Sequence, residues 1–136
     1  MPKVMIAEDD LVMADMLTEV LVHSGYEVCG IACTVDKAVE LGERHRPDLA
    51  ILDLRLAHEG VGTEIAARLT SRGSLGILYT TGNVGQMGFL TKADGQACIR
   101  KPYRPEDVVH ALKIVEQIVN AGEVAGPFPN GFKVLN

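Results

Sequence analysis

The chain of 136 residues is one domain's worth of sequence, and 47% hydrophobic with 23% charged residues is the balance of a folded body rather than a disordered one. Aromatics make up only 4% and tryptophan is absent, so the core must be built from Val, Leu, Ile, Ala and Met. A formal net charge of −5 argues against phosphate-backbone binding as the main task, because that needs a basic face.

The predicted elements alternate regularly. Residues 3–7 (KVMIA) form a short apolar run suited to a strand buried on both faces. From Asp10, apolar Met13, Met16, Leu17, Val20 and Leu21 recur at helical spacing until Gly25, a natural residue just past a helix end. Residues 26–32 (YEVCGIA) read as a second strand; Thr34 then caps a helix carrying Val35, Ala38, Val39 and Leu41, which Pro47 ends. Residues 49–53 (LAILD) are the third strand. A loop with Gly60 and Gly62 leads to a helix holding Ile65, Ala66 and Leu69, closed near Gly73. Residues 76–81 (GILYTT) are the fourth strand and 97–100 (ACIR) a short fifth. Between them Gly82, Gly85, Gly88 and Gly95 each weaken a helix by up to ~1 kcal/mol, so a reduced fourth helix is expected. Pro105 suits the first position of a last helix with Val108, Val109, Leu112, Val115, Ile118 and Val119.

This alternation predicts a single α/β domain with a doubly wound parallel sheet, flavodoxin-like (βα)5, in strand order 2-1-3-4-5. The last helix carries more apolar residues than one face can bury, which leaves some for a partner or a homodimer contact. In the tail, residues 122–136, Pro127 and Pro129 break any helix, and the preferred reading is a loose segment; Phe128, Phe132, Val134 and Leu135 support a strap packed on the domain as the alternative.

The start MPKVMIAEDD lacks the apolar stretch and cleavage site of a signal peptide, and no apolar run reaches the ~18–20 residues of a membrane span. Cys29, Cys33 and Cys98 are odd in number and without C-x-x-C spacing, which favours reduced thiols and a cytoplasmic address.

In an open parallel sheet ligands bind at the carboxyl ends of the strands. Glu8 and Asp9 end the first strand, Asp53 the third and Thr81 the fourth, while Lys101 follows the fifth. Three carboxylates this close repel one another unless a cation joins them. Oxygen donors without His or Cys disfavour zinc and suit Mg²⁺, which takes few carboxylates plus waters and a phosphoryl oxygen. With that charge offset, Asp53 can act as a nucleophile toward phosphorus, Lys101 can pair with a second phosphoryl oxygen and the Thr81 hydroxyl can donate to a third. Asp10 is read apart from this set, as the cap of the first helix.

The combination of IAEDD (6–10), LAILDLRL (49–56), YTTG (79–82) and RKPY (100–103) resembles the receiver domain of two-component response regulators over about residues 3–120. The resemblance implies a metal pair at Glu8 and Asp9, a phosphoacceptor at Asp53, a backbone carbonyl to Mg²⁺ at Arg55, a switch hydroxyl at Thr81 and a phosphoryl-contacting Lys101. It implies phosphotransfer from a phosphohistidine on a sensor histidine kinase or histidine phosphotransfer protein, with slow self-dephosphorylation, and output by binding a downstream protein. Such a domain is a signalling acceptor rather than an enzyme. The expected organisation is a receiver domain over residues 1–121 and a tail over 122–136 with no output domain; neither nucleic acid nor membrane is an expected partner. One departure stands out: three residues before the lysine, where the family often has an aromatic switch residue, this chain has Cys98.

Each signal has an ordinary reading when taken singly: loop carboxylates, a solvated lysine, a strand threonine. Their placement at four strand ends in the right order is what argues for a site. His23, His45, His58 and His110 have no triad or metal spacing and read as surface residues. His58 and Glu59, in the loop after Asp53, read as solvated, as does the helix end at 68–73 (RLTSRG). Two rival functions stay open: a phosphorylation-independent binding module of the same fold, and a small Asp-nucleophile phosphatase. The second would want D-x-D after a strand, whereas the chain reads Asp53-Leu54-Arg55.

Overall fold

Strands buried on both faces need apolar residues at consecutive positions, and the central strands here have them. A computed structural model describes residues 1–70 and 74–136. Its parallel strands are β1 (Lys3–Ala7), β2 (Glu27–Ala32), β3 (Leu49–Asp53), β4 (Gly76–Thr81) and β5 (Ala97–Arg100). They alternate with helices α1 (Leu11–His23), α2 (Val35–His45), α3 (Gly62–Leu69), α4 (Val84–Met87) and α5 (Pro105–Ala121). The sheet order is β2-β1-β3-β4-β5, continued by a sixth strand, β6 (Phe132–Val134), antiparallel to β5.

Side-chain alternation sorts the core into two layers. Val4 and Ile6 of β1, Ile51 of β3, Leu78 of β4 and Ile99 of β5 face Leu17 and Leu21 of α1 and Val108, Leu112 and Val115 of α5. Met5, Leu52, Ile77, Tyr79 and Cys98 face α2 and α3 on the other side. No helix among the described residues is long and apolar enough to cross a membrane.

The helix starts follow the sequence signals. The Asp10 carboxylate accepts from the amides of Val12 and Met13, and the Thr34 hydroxyl from Lys37. Pro105 occupies the first turn of α5, and Gly25 lies beyond α1 at φ +96°. Three expectations are corrected. Met16 faces outward, and Ala14 takes the inner position beside Leu17. Val108 and Val109 are both buried, so the surplus apolar surface of α5 is at Val119. Gly62 opens α3 rather than sitting in the loop, and a Cβ there would run into the Asp53 carbonyl oxygen, which is why the position takes glycine. The helix end expected near Gly73, with the rest of residues 71–73, lies outside the described residues.

The preferred reading of the tail is also corrected: it is a strap, not a loose segment. Phe132 joins the α1/α5 layer, Leu135 is buried in the other, and the Arg100 amide donates to the Gly131 carbonyl at 3.0 Å. Local propensity could not show this, since a three-residue strand takes its stability from the β5 edge it pairs with. The fourth helix is reduced to four residues, as the glycines between 82 and 95 predict.

Candidate functional site

The site is assembled by the ends of four parallel strands. Glu8 follows β1, its amide bonded to the Ala32 carbonyl of β2 at 2.9 Å. Asp53 is the last residue of β3, and one of its oxygens accepts from the Arg55 amide at 3.2 Å. Thr81 closes β4, and its carbonyl accepts from the Lys101 amide at 2.7 Å, fixing the base of the lysine beside the end of β4. The peptide bond from Lys101 to Pro102 is cis.

Sequence reasoning groups Glu8, Asp9, Asp53, Arg55, Thr81 and Lys101, and the structure brings them to one sheet edge. Carboxylate oxygens of Glu8, Asp9 and Asp53 lie within 4.8 Å of one another. Glu8 and Asp53 are almost fully buried and Asp9 is exposed. Lys101 Nζ sits between the two buried acids, 2.7 Å from Asp53 Oδ2 and 2.9 Å from Glu8 Oε1. Asp9, Asp53, Arg55, Thr81 and Lys101 line an open cleft of about 580 Å³. His58 and Glu59 lie in the exposed turn after Asp53, both at φ 60°, and do not line this cleft. His23 and His110 are exposed as expected, and His45 is half-buried. Cys98 is buried and Cys29 and Cys33 half-buried, all three free thiols.

Proximity shapes the electrostatics. Burial pushes the Glu8 carboxyl above the usual carboxylate range, and the neighbouring Asp53 pushes it further, while Lys101 and the Asp10 amide pull against the shift. Burial works against the Lys101 charge, but its hydrogen bonds to Asp53 and Glu8 and their charges outweigh that and hold its pKa above the ordinary lysine value. One ammonium against three carboxylates leaves two negative charges unbalanced, which a divalent cation would offset. The donor set is all hard oxygen at the mouth of a solvent-open cleft, which fits Mg²⁺ with several waters retained.

Two residues that the sequence reading did not single out belong to the site. Gln86, on α4, lines the cleft, and its Oε1 accepts from the Thr81 hydroxyl at 3.0 Å. Asn83 also lines it; its amide donates to Thr81 Oγ1 at 3.1 Å and its side chain caps α4. The capping residue could have been read from the sequence, whereas the reach of Gln86 depends on how the Asn83-capped turn folds over the end of β4. At the β5 position that lacks an aromatic, Cys98 pairs with Tyr79 of β4, whose ring is fully buried and whose hydroxyl donates to the Asp94 carbonyl at 2.7 Å. Bulk missing from β5 is supplied by β4 and locked in place. Tyr103, the aromatic after Lys-Pro, packs against the α1/α5 layer with its hydroxyl buried and without a hydrogen-bond partner among the described residues.

Comparison with known proteins agrees with this geometry. Residues 4–113 match the response regulator receiver domain. The transcriptional regulatory protein PdtaR of Mycobacterium tuberculosis is 31% identical over 115 residues, 82% of this chain and 55% of PdtaR, so the chain spans about half the length of that relative. The chemotaxis protein CheY of Thermotoga maritima is 28% identical over 118 residues, 85% of this chain and 98% of CheY. Among solved structures, the signal receiver domain of a modulated diguanylate cyclase from Desulfovibrio desulfuricans G20 superposes with a TM-score of 0.77 at 26% identity, covering 90% of this chain and 99% of that one. With a family match over most of its length and a buried acidic site at the strand ends where that family has one, this chain belongs to the response regulator receiver domain family.

Proposed function

We propose that the protein is a phosphoacceptor signalling domain in which Asp53 takes a phosphoryl group from a phosphohistidine on a sensor histidine kinase or histidine phosphotransfer protein. The observation that carries this reading is the Asp53–Lys101–Glu8 arrangement, open to solvent through the cleft. One Asp53 oxygen forms the bond to phosphorus as the donor's N–P bond breaks, and the electron pair returns to the imidazole nitrogen. Glu8, Asp9, Asp53 and the Arg55 backbone carbonyl would hold Mg²⁺, which supplies counter-charge for the acids and the incoming phosphoryl oxygens. Lys101, already on Asp53, moves its ammonium to a phosphoryl oxygen, and the Thr81 hydroxyl donates to another. Water attacking the same phosphorus later releases phosphate and restores the carboxylate, slowly, since the protein serves as a signal carrier and not as an enzyme.

Output in this reading is protein binding from a cytoplasmic domain over residues 1–121, with the tail strand closing the sheet edge. A phosphorylation-independent binding module is the second reading. It is favoured by the engagement of the Thr81 hydroxyl with Gln86 and by the lack of an aromatic at Cys98.

Incubation with Mg²⁺ and a small phosphodonor such as acetyl phosphate, followed by intact mass measurement, separates the two. The expected result is one phosphoryl adduct that is lost in Asp53→Asn and lost when the metal is chelated. A protein that takes no adduct from acetyl phosphate or from a phosphohistidine donor is the binding module instead.

A further inference from the structure

A buried hydroxyl without an acceptor has lost its water and gained nothing in exchange, so each one asks for a reason. Among the described residues, the Tyr103 hydroxyl is the one buried side-chain polar atom without a hydrogen-bond partner. The other two tyrosines are committed: Tyr26 donates to Glu116 and Tyr79 to the Asp94 carbonyl. Phenylalanine would pack the Tyr103 ring against the α1/α5 layer equally well, so packing does not account for the hydroxyl.

Its surroundings do. Tyr103 stands two residues past Lys101, in the short connection between the end of β5 at Arg100 and the start of α5 at Pro105. A small adjustment there disturbs no strand pairing. Four charged groups of the site bear on its hydroxyl, Glu8 most strongly, then Lys101, Asp53 and Asp10. Glu8 is 2% exposed and both its oxygens are engaged: Oε1 accepts from Lys101 Nζ at 2.9 Å, and Oε2 from the Asp10 amide at 3.2 Å.

The Lys101 ammonium has a second claim on it. In the phosphotransfer proposed above it leaves the acids for a phosphoryl oxygen, and Glu8 Oε1 loses its donor while still shut off from bulk water. A carboxylate has more than one acceptor direction on each oxygen, so a metal and a hydroxyl can share it. Carboxylates that hold metals are ordinarily kept in aim by such a donor.

We propose that Tyr103 is a reserve donor to Glu8: its hydroxyl takes the Glu8 carboxylate when Lys101 moves to the phosphoryl group, and keeps that carboxylate aimed at the metal. Tyr103 is thus a positioning residue that acts through Glu8, and the inference rests on the reading of Asp53 as acceptor.

Two measurements test it. The first is hydroxyl-proton exchange, read by NMR through tyrosine labelled at the ring carbon that bears the oxygen, with and without acetyl phosphate and Mg²⁺, alongside intact mass. Tyr103 is assigned by the signal that Tyr103→Phe removes. Phosphorylation should slow exchange at Tyr103 by about three- to tenfold, the change expected from gaining one hydrogen bond, while Tyr26 and Tyr79 hold their rates. The second needs no phosphorylation: urea midpoints of the wild-type chain, Tyr103→Phe, Lys101→Met and the double variant. Lys101→Met frees Glu8, which offers an acceptor oxygen whether ionised or protonated. Tyr103→Phe should leave the midpoint of the wild-type chain unchanged or raised, because it removes an unpaired polar group, and should lower that of Lys101→Met by about 0.3–1 M. The same effect of Tyr103→Phe in both backgrounds, or an adduct on the wild-type chain with no change at the Tyr103 hydroxyl, overturns the reserve donor and leaves the acceptor reading intact. No adduct on the wild-type chain removes both.

Discussion

Lys101→Met keeps an unbranched apolar stem of similar reach and deletes the one cation between Glu8 and Asp53. Two charge-assisted hydrogen bonds, at 2.7 and 2.9 Å, are lost with it. Fully buried they would be worth about 3–6 kcal/mol together. The lysine side chain is 25% exposed at a water-filled cleft, which screens the pair and halves that to roughly 2–3 kcal/mol. In urea this moves the unfolding midpoint down by about 0.7–3 M for a slope of ~1–3 kcal/mol per molar. The pH dependence has a definite sign. Lys101, with its folded pKa raised, contributes stability that is complete below the ordinary lysine value and lost only as pH rises through the higher folded one, so all of it is present at pH 7. Glu8 also has a raised folded pKa: it favours the fold fully below about 4.5, and that contribution is lost as pH rises through the folded value. Without the ammonium to oppose the shift, Glu8 stays protonated to a higher pH. The deficit of Lys101→Met is therefore largest at pH 7 and shrinks as pH falls toward 4.5, and saturating Mg²⁺ narrows it at pH 7 by replacing the lost charge. Urea unfolding of both proteins at pH 7 and 5, with and without Mg²⁺, checks this. Equal midpoints at pH 7 without Mg²⁺, or a deficit constant between the two pH values, would refute the electrostatic account of the site.

Two further outcomes follow from packing. Gly62→Ala places a methyl group against the Asp53 carbonyl, so it should cost ~1–3 kcal/mol in urea unfolding and reduce the acetyl phosphate adduct by shifting the acceptor strand. Leu135→Ala, at the buried end of the tail, should cost about 2 kcal/mol and speed exchange of the Arg100 amide, while adduct formation at Asp53 stays at the wild-type level.

Those elements whose stability is local or set by burial were legible before the structure. The bounds of β1, β3, β4 and β5 follow from unbroken apolar runs, the caps at Asp10 and Thr34 from side-chain chemistry, and the placement of Pro105 from its missing amide. The grouping of Glu8, Asp9, Asp53, Thr81 and Lys101 needed only the rule that strand ends share an edge. What was not legible depends on contacts across the fold. The three-residue β6 exists because β5 offers an edge, Met16 faces outward while the smaller Ala14 fits the inner layer, and Gln86 reaches Thr81 from the Asn83-capped first turn of α4. The trade of bulk between Cys98 and Tyr79 is invisible until their register is known.

The tail strand also changes how the molecule meets copies of itself. Without β6, the sheet would end at Ala97, Cys98 and Ile99, each completely buried here, and their unpaired amides and carbonyls would form an apolar template for any passing strand. Residues 132–134 move the border outward to a segment too short to pair well, with the exposed Lys133 at its centre. At high concentration that short, charged border guards the protein against self-association through edge pairing.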